Sequence, residues 1–105
     1  MKTIAVAPLI WIVSTGLLYA GAPEGKELFT AKCQACHGAN GEGKAAIGKM
    51  FNVTMPVLAS KEVQAKPDAE LKKVILTGKG KMKAVSGVTE KQADDIVAFL
   101  RTLKQ

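Results

Sequence analysis

The sequence predicts an all-α domain of about three main helices, and three patterns along the chain carry this prediction. Between Glu24 and Cys36, apolar residues recur at helical spacing. A second segment is bracketed by Pro67 and Gly78, which are common residues at the start and the end of a helix. A third segment begins at Thr89 with a Thr-Glu-Lys-Gln capping box.

The first and last predicted helices each present one apolar face. In the first, Gly25 and Phe29 are four residues apart, and a glycine on that face lets another helix approach closely. In the last, which we expect to end near Leu103, Ile96 and Phe99 share a face with the leucines that follow. We therefore expect another helix to cross the first one near Gly25.

The middle of the chain is less regular. Residues 38–43 are rich in Gly and Asn, which tolerate positive φ, and predict a loop. Residues 45–59 show no clear period and predict an irregular segment with apolar side chains. Ser60 is a candidate cap for a short helix that ends before Pro67.

Residues 1–22 differ in composition from residues 23–105. After Lys2 there is no charge until Glu24, and the apolar stretch closes on the small residues Ala20 to Ala22. A basic start, an apolar middle and a small-residue end predict a cleaved export signal. The run is also about long enough for a membrane anchor, so a retained tether on the outer face of the inner membrane is the alternative. Both place residues 23–105, the predicted domain, in the periplasm.

The sequence Cys33-Gln34-Ala35-Cys36-His37 is the attachment pattern of c-type haem. Residues i and i+3 share a helix face, so both thiols reach the two vinyl groups on one edge of a porphyrin. The adjacent imidazole then supplies one axial ligand of the iron. We expect one haem c, which also supports the core of a domain whose only aromatic residues are three phenylalanines. Beside a haem, the apolar side chains of residues 45–59 are expected to wall the cofactor.

Other interpretations of these residues are weaker. A thioredoxin-type Cys-x-x-Cys needs no following His and lies in a strand–helix–strand setting. Structural zinc takes four protein ligands, whereas the chain has two Cys and one His. A plain disulfide is the remaining alternative. The Gly-rich loop is not a phosphate loop, since Lys44 is not followed by Ser or Thr.

His37 is the chain's one histidine, so the second axial ligand is a methionine, a lysine, water or nothing. Methionine opposite histidine raises the potential of electron-transfer haem, while an open position suits gas or peroxide chemistry. Met82 is the favoured candidate because it follows a helix cap in Gly-rich backbone. Met55 is second and Met50 third, and for both we favour a packing role.

Together these residues resemble the single-haem class I c-type cytochromes, particularly the short bacterial kind, over about residues 24–104. The likeness rests on the Cys-Cys-His element, the Gly-Asn-Gly loop, the segment Ile75 to Met82 and the final helix. The resemblance implies an all-helical fold in which the first and last helices cross near Gly25 and Ile96. It also implies haem between His37 and Met82 and an electron carrier. In that family the ligand methionine is commonly followed by proline, whereas Lys83 follows Met82 here. No Trp or Tyr remains to meet the haem propionates, and no carbonyl partner for His37 is identifiable.

The predicted function is one-electron transfer between membrane redox complexes, without transformation of a substrate. The alternative is a haem protein with a labile sixth ligand that binds a gas or handles peroxide. The chain carries a net charge of +6, or +5 once Lys2 leaves with residues 1–22. Lysines cluster around the predicted methionine ligand, and this positive surface predicts that redox partners dock through acidic surfaces. These lysines are Lys72, Lys73, Lys79, Lys81 and Lys83. We expect the protein to be a monomer and not to bind nucleic acid.

Overall fold

The computed structural model describes residues 20–103, together with residues 3 and 5. The described residues form six helices: α1 (Ala22–Lys32), α2 (Gln34–His37), α3 (Ala45–Phe51), α4 (Lys61–Gln64), α5 (Asp68–Thr77) and α6 (Glu90–Thr102). Within the described residues there is no strand beyond an isolated bridge between Lys79 and Met82, so the all-α prediction is confirmed. The three long helices are α1, α5 and α6.

The predicted leader, residues 1–22, lies outside the described residues except for residues 3, 5 and 20–22. Its role as a cleaved signal or an anchor stays a prediction. Of the helices in the described part of the chain, none is both long and apolar enough to cross a membrane.

Helices α1 and α6 cross at the predicted place. The backbone of Asp95 and Ile96 occupies the space that a Cβ on Gly25 would take. One turn further along α1, the ring of Phe29 meets the ring of Phe99, with centroids 5.2 Å apart. Phe29 and Ile96 are each 1% exposed, so this crossing is the centre of the core.

The capping signals hold in the structure. Thr89 and Gln92 form the reciprocal capping box at the start of α6. The Ser60 hydroxyl accepts from the Val63 N–H at the start of α4. Helix α5 ends at Gly78, which has φ +81°.

Two expectations about local structure are wrong in part. The first helix is interrupted at Cys33, whose φ of −116° and ψ of −30° separate α1 from α2. The predicted irregular segment begins with α3, which ends at the left-handed residue Asn52. Its helical period is short, because only Ile47 and Phe51, four residues apart, face the central cavity.

Arg101 ties the end of α6 to the junction between α4 and α5. Its guanidinium donates to the carbonyl oxygens of Gln64 and Lys66, at 3.0 and 2.6 Å, and to the Asp68 carboxylate. The Gln64 amide in turn donates to the Leu58 and Leu100 carbonyls, each at 2.9 Å. This network fixes the backbone of residues 64–68, which contains Lys66 and follows Val63, and both of these residues line the cavity.

Candidate functional site

A cavity of about 790 Å³ lies between the α1–α2 corner, α3, α5 and the loop after α5. Its volume falls within the range of about 300–1,000 Å³ that is usual for cofactor pockets. Most of its wall is apolar, with aliphatic side chains from every surrounding element. The predicted haem ligands and attachment residues, Cys33, Cys36, His37 and Met82, all line it, and so does the runner-up Met55.

The two cysteines are free thiols at the corner between α1 and α2. The Cys33 carbonyl accepts from the N–H groups of Cys36 and His37, at 3.2 and 3.0 Å, which folds the motif into a single tight turn. Burial raises the pKa of the Cys33 thiol to about 11, against the smaller opposing effect of Lys32. A dithiol oxidoreductase needs a thiolate with a lowered pKa, so the burial of Cys33 disfavours a thioredoxin-type function.

His37 ends α2 and is held from its backbone. Its carbonyl accepts from the Gly43 N–H at 2.7 Å, and this bond closes the loop of residues 38–43. Burial lowers the pKa of the imidazole, which keeps the ring neutral and able to coordinate a metal near neutral pH. Nδ1 is buried, and no hydrogen-bond partner for it lies among the described residues.

Met82 sits at the end of a tight turn beside the cavity. The Lys79 and Met82 backbones exchange two hydrogen bonds, at 2.8 and 3.0 Å. Gly80, the second residue of the turn, has φ +57°, as a type II′ turn requires. The Val85 N–H donates to the Ile75 carbonyl at 2.9 Å, which anchors the loop to α5. Met82 is half-buried.

The other two candidate methionines occupy different settings. Met55 packs against the loop that leaves His37, because its Cβ and Cγ lie close to where Gly43 and Gly48 would carry a Cβ. Met50 is 72% exposed and does not line the cavity. The packing role favoured for Met50 is thus wrong, since the side chain points into solvent instead of filling the core.

The five lysines of the predicted docking group are not equivalent. Lys79, Lys81 and Lys83 line the cavity on its Met82 side and are exposed. Lys81 donates to the Phe51 carbonyl at 3.3 Å, a bond that links the Met82 loop to α3. Lys72 does not line the cavity and pairs with Asp94 at 3.1 Å and Glu90 at 3.4 Å. Hydrogen bonding to Asp94 is the main reason that the pKa of Lys72 is raised.

The donor set at the cavity fits a covalently bound haem. Two free thiols and a neutral imidazole converge on an apolar space that has the size of a cofactor pocket. Across residues 20–103 no group of three His, Cys, Asp or Glu side chains is placed to hold a metal ion directly. A structural zinc ion, which takes four such ligands, is therefore not supported by the described residues.

A family profile described as "Cytochrome C oxidase, cbb3-type, subunit III" matches residues 20–100. Cytochrome c-554(547) of Halothiobacillus neapolitanus is 32% identical over 90 residues, which cover 79% of this chain and 97% of that protein. The chain belongs to the single-haem class I c-type cytochromes. It therefore binds one covalently attached haem c, and its family is one of haem-based electron carriers.

Two solved structures share the fold. The KustC0563 c-type cytochrome superposes with a TM-score of 0.64 at 24% identity, covering 77% of this chain and 98% of its own. Cytochrome cL from Hyphomicrobium denitrificans gives a TM-score of 0.64 at 22% identity, covering 84% of this chain and 50% of its own. These likenesses confirm the predicted class I cytochrome fold.

Ile47 and Phe51 of α3 form one wall of the cavity, as expected for the apolar side chains of residues 45–59, although the helix that carries them was not predicted. Lys66 also lines the cavity, although its position before Pro67 gave no sign of it.

Proposed function

We propose that the protein is a periplasmic one-electron carrier whose haem is bonded to Cys33 and Cys36 and ligated axially by His37 and Met82. One observation supports this most directly. Met82 belongs to a separately braced loop that faces the same cavity as the Cys-Cys-His corner. The two ligands would then come from different elements of the fold, as ligation on two faces of one macrocycle requires.

Met82 is a better candidate than Met55 because of what each packs against. Met55 lies against Gly43 and Gly48, in the segment that also carries the hydrogen bond to the His37 carbonyl. It is thus on the side of the cavity from which His37 approaches. Met82 lies in the turn that follows α5, and the loop beyond it is anchored to α5 by the Val85–Ile75 hydrogen bond, so Met82 belongs to a different wall of the cavity.

Haem c supplies an iron that alternates between the ferric and ferrous states. The described residues favour the ferrous state in two ways. The apolar wall penalises the more highly charged oxidised site, and a thioether ligand prefers ferrous iron. The hydrogen bonds of the Met82 turn and of the His37 loop hold both ligands in place, so electron transfer proceeds without ligand exchange.

The partners we propose are redox proteins with acidic docking surfaces. Lys79, Lys81 and Lys83 are exposed beside the cavity, where a partner can approach the edge of the haem. The description of the matching profile as an oxidase subunit supports membrane redox complexes as partners. Lys72 and Lys73 are also among the lysines predicted to attract acidic partners. Lys72 is paired with two carboxylates, so it contributes less to the electrostatic attraction of a partner.

A second candidate function is a haem protein with a labile sixth ligand. It rests on Lys83, which follows Met82 where the resembled family commonly has proline. Without the fixed φ of proline, the rigidity of the ligand loop depends on hydrogen bonds: those of the turn, the Val85–Ile75 bond and the Lys81–Phe51 bond.

Spectra of the holoprotein in both oxidation states distinguish the two functions. The carrier function predicts low-spin iron in the ferric and ferrous forms and no rapid binding of carbon monoxide to the ferrous form. A high-spin ferric spectrum, or carbon monoxide binding within the mixing time, would instead support the labile-ligand function.

A further inference from the structure

The propionate groups of the haem have no aromatic partner in this domain. Haem c carries two carboxylates, and the aromatic residues between residues 23 and 105 are all phenylalanines. A carboxylate beside a largely apolar wall is stable only when it is hydrogen-bonded or paired with a cation. Apart from the attachment motif, the lining side chains with hydrogen-bond donors are Thr54 and five lysines, and of these only the lysines carry a charge that can pair with a carboxylate.

Five lysines line the cavity, and they differ in position. Lys32 precedes Cys33, so it would lie near the thioether edge of a bound haem rather than near its propionates, and its Nζ donates to the Ser86 carbonyl. Lys81 donates to the Phe51 carbonyl. Lys79 and Lys83 are exposed.

Lys66 is the least exposed of the five lysines that line the cavity. Its side chain is 36% exposed, and the buried residues Val63 and Leu71 on either side of it in the chain also line the cavity. Its carbonyl is fixed by Arg101 at 2.6 Å, and Pro67 follows it. The backbone position is therefore set before any ligand binds, which reduces the entropy lost when the side chain pairs.

The ammonium group of Lys66 also retains free donors. Its carboxylate partner in the described residues is Glu70, at 3.7 Å and 48% exposed, a pair that contributes little when solvated. An ammonium group has three N–H donors, so this contact leaves at least two of them for a stronger acceptor.

We infer that Lys66 is a positioning residue that binds a haem propionate carboxylate through Nζ. This contact compensates for the missing Trp and Tyr donors. It also neutralises a negative charge that otherwise stabilises ferric iron, so Lys66 helps to set the reduction potential. The inference requires attached haem, but it does not depend on Met82 being the second axial ligand.

The test uses the ferrous holoprotein and the variants Lys66→Gln, Lys66→Arg and Lys61→Gln. Lys61 is an exposed lysine at the start of α4, outside the cavity, and its replacement removes the same unit charge. We expect proton NMR cross-peaks between the propionate methylenes and the Lys66 side chain. We also expect Lys66→Gln to lower the midpoint potential by at least about twice the shift in Lys61→Gln, and Lys66→Arg to restore most of it.

Two outcomes overturn the inference. One is a set of propionate cross-peaks to other lysines with none to Lys66. The other is an equal shift of potential in Lys66→Gln and Lys61→Gln. Unchanged haem attachment and unchanged axial ligation in these variants keep either outcome separate from a failure of the proposed function.

Discussion

Gly25 of α1 lies directly against the backbone of Asp95 in α6, and the Asp95 carbonyl occupies the space that a Cβ on Gly25 would take. The obstacle is backbone, so no side-chain rotation relieves it. The crossing also brings Phe29 against Phe99. Because Phe29 and Cys33 line the cavity as well, the geometry of the crossing is transmitted to the haem attachment corner.

Replacing Gly25 with alanine should therefore destabilise the holoprotein. We expect a loss of about 2–3 kcal/mol in the free energy of unfolding, because α1 must move away from α6. Denaturant titration followed by helical circular dichroism measures it, with Thr30→Ala on the exposed face of α1 as the control. A Gly25→Ala variant as stable as the control would show that the two helices do not approach this closely.

The thioether attachment predicts a graded loss of covalent haem. Either Cys33→Ser or Cys36→Ser leaves one of the two thioether bonds, so the haem stays with the protein under denaturing conditions. With both replaced, acidified organic solvent extracts the haem. Intact mass after denaturation distinguishes the forms, and retention of haem in the double variant would contradict attachment through these thiols.

The lysine surface predicts unequal effects of single substitutions on electron exchange with a charged probe. Lys79→Gln should slow the reaction with the anion hexacyanoferrate(III) roughly threefold at low salt, since Lys79 borders the cavity. Lys72→Gln removes the same charge at a site already compensated by Glu90 and Asp94, so its effect should be smaller.

Stopped-flow rates over a range of ionic strengths provide the measurement for both lysine variants. The cationic probe hexaammineruthenium(III) should show the opposite trend in Lys79→Gln. Equal effects of the two substitutions, or rates that do not depend on salt, would contradict electrostatic steering by the Met82 side of the cavity.

Arg101 should contribute strongly to stability. Arg101→Ala leaves the Gln64 and Lys66 carbonyls without their charged donor, and we expect a cost of about 2 kcal/mol in unfolding free energy. Arg101→Lys should recover only part of it, because an ammonium group cannot reproduce the planar fork. Lys73→Ala, at an exposed site on α5, is the control, and equal stability of the alanine variants would exclude this role.

Local signals in the sequence were sufficient for the helix ends and for the place of a helix crossing, while the family resemblance supplied the last helix as the partner. The Thr89 capping box and the Gly78 terminus depend on residues a few positions apart, and the face formed by Gly25 and Phe29 depends on one helical turn. Helix α3 was missed because its apolar face is two residues long.

Features that depend on distant residues were not accessible from the sequence. The pairing of Lys72 with Glu90 and Asp94 joins two helices, so no local pattern distinguishes Lys72 from the other lysines. The approach of Lys66 to the cavity depends on Arg101, 35 positions away. The Cys-x-x-Cys-His motif identified the cofactor because its chemistry is contained within five adjacent residues.

Axial ligation by His37 and Met82 is the central claim, and the visible and near-infrared spectrum of the ferric holoprotein tests it most directly. We expect Met82→Ala to lose the charge-transfer band of thioether-bound ferric haem and to bind exogenous imidazole. Met55→Ala, which removes the other methionine that lines the cavity, should keep the band. Loss of the band in Met55→Ala and its persistence in Met82→Ala would contradict the assignment.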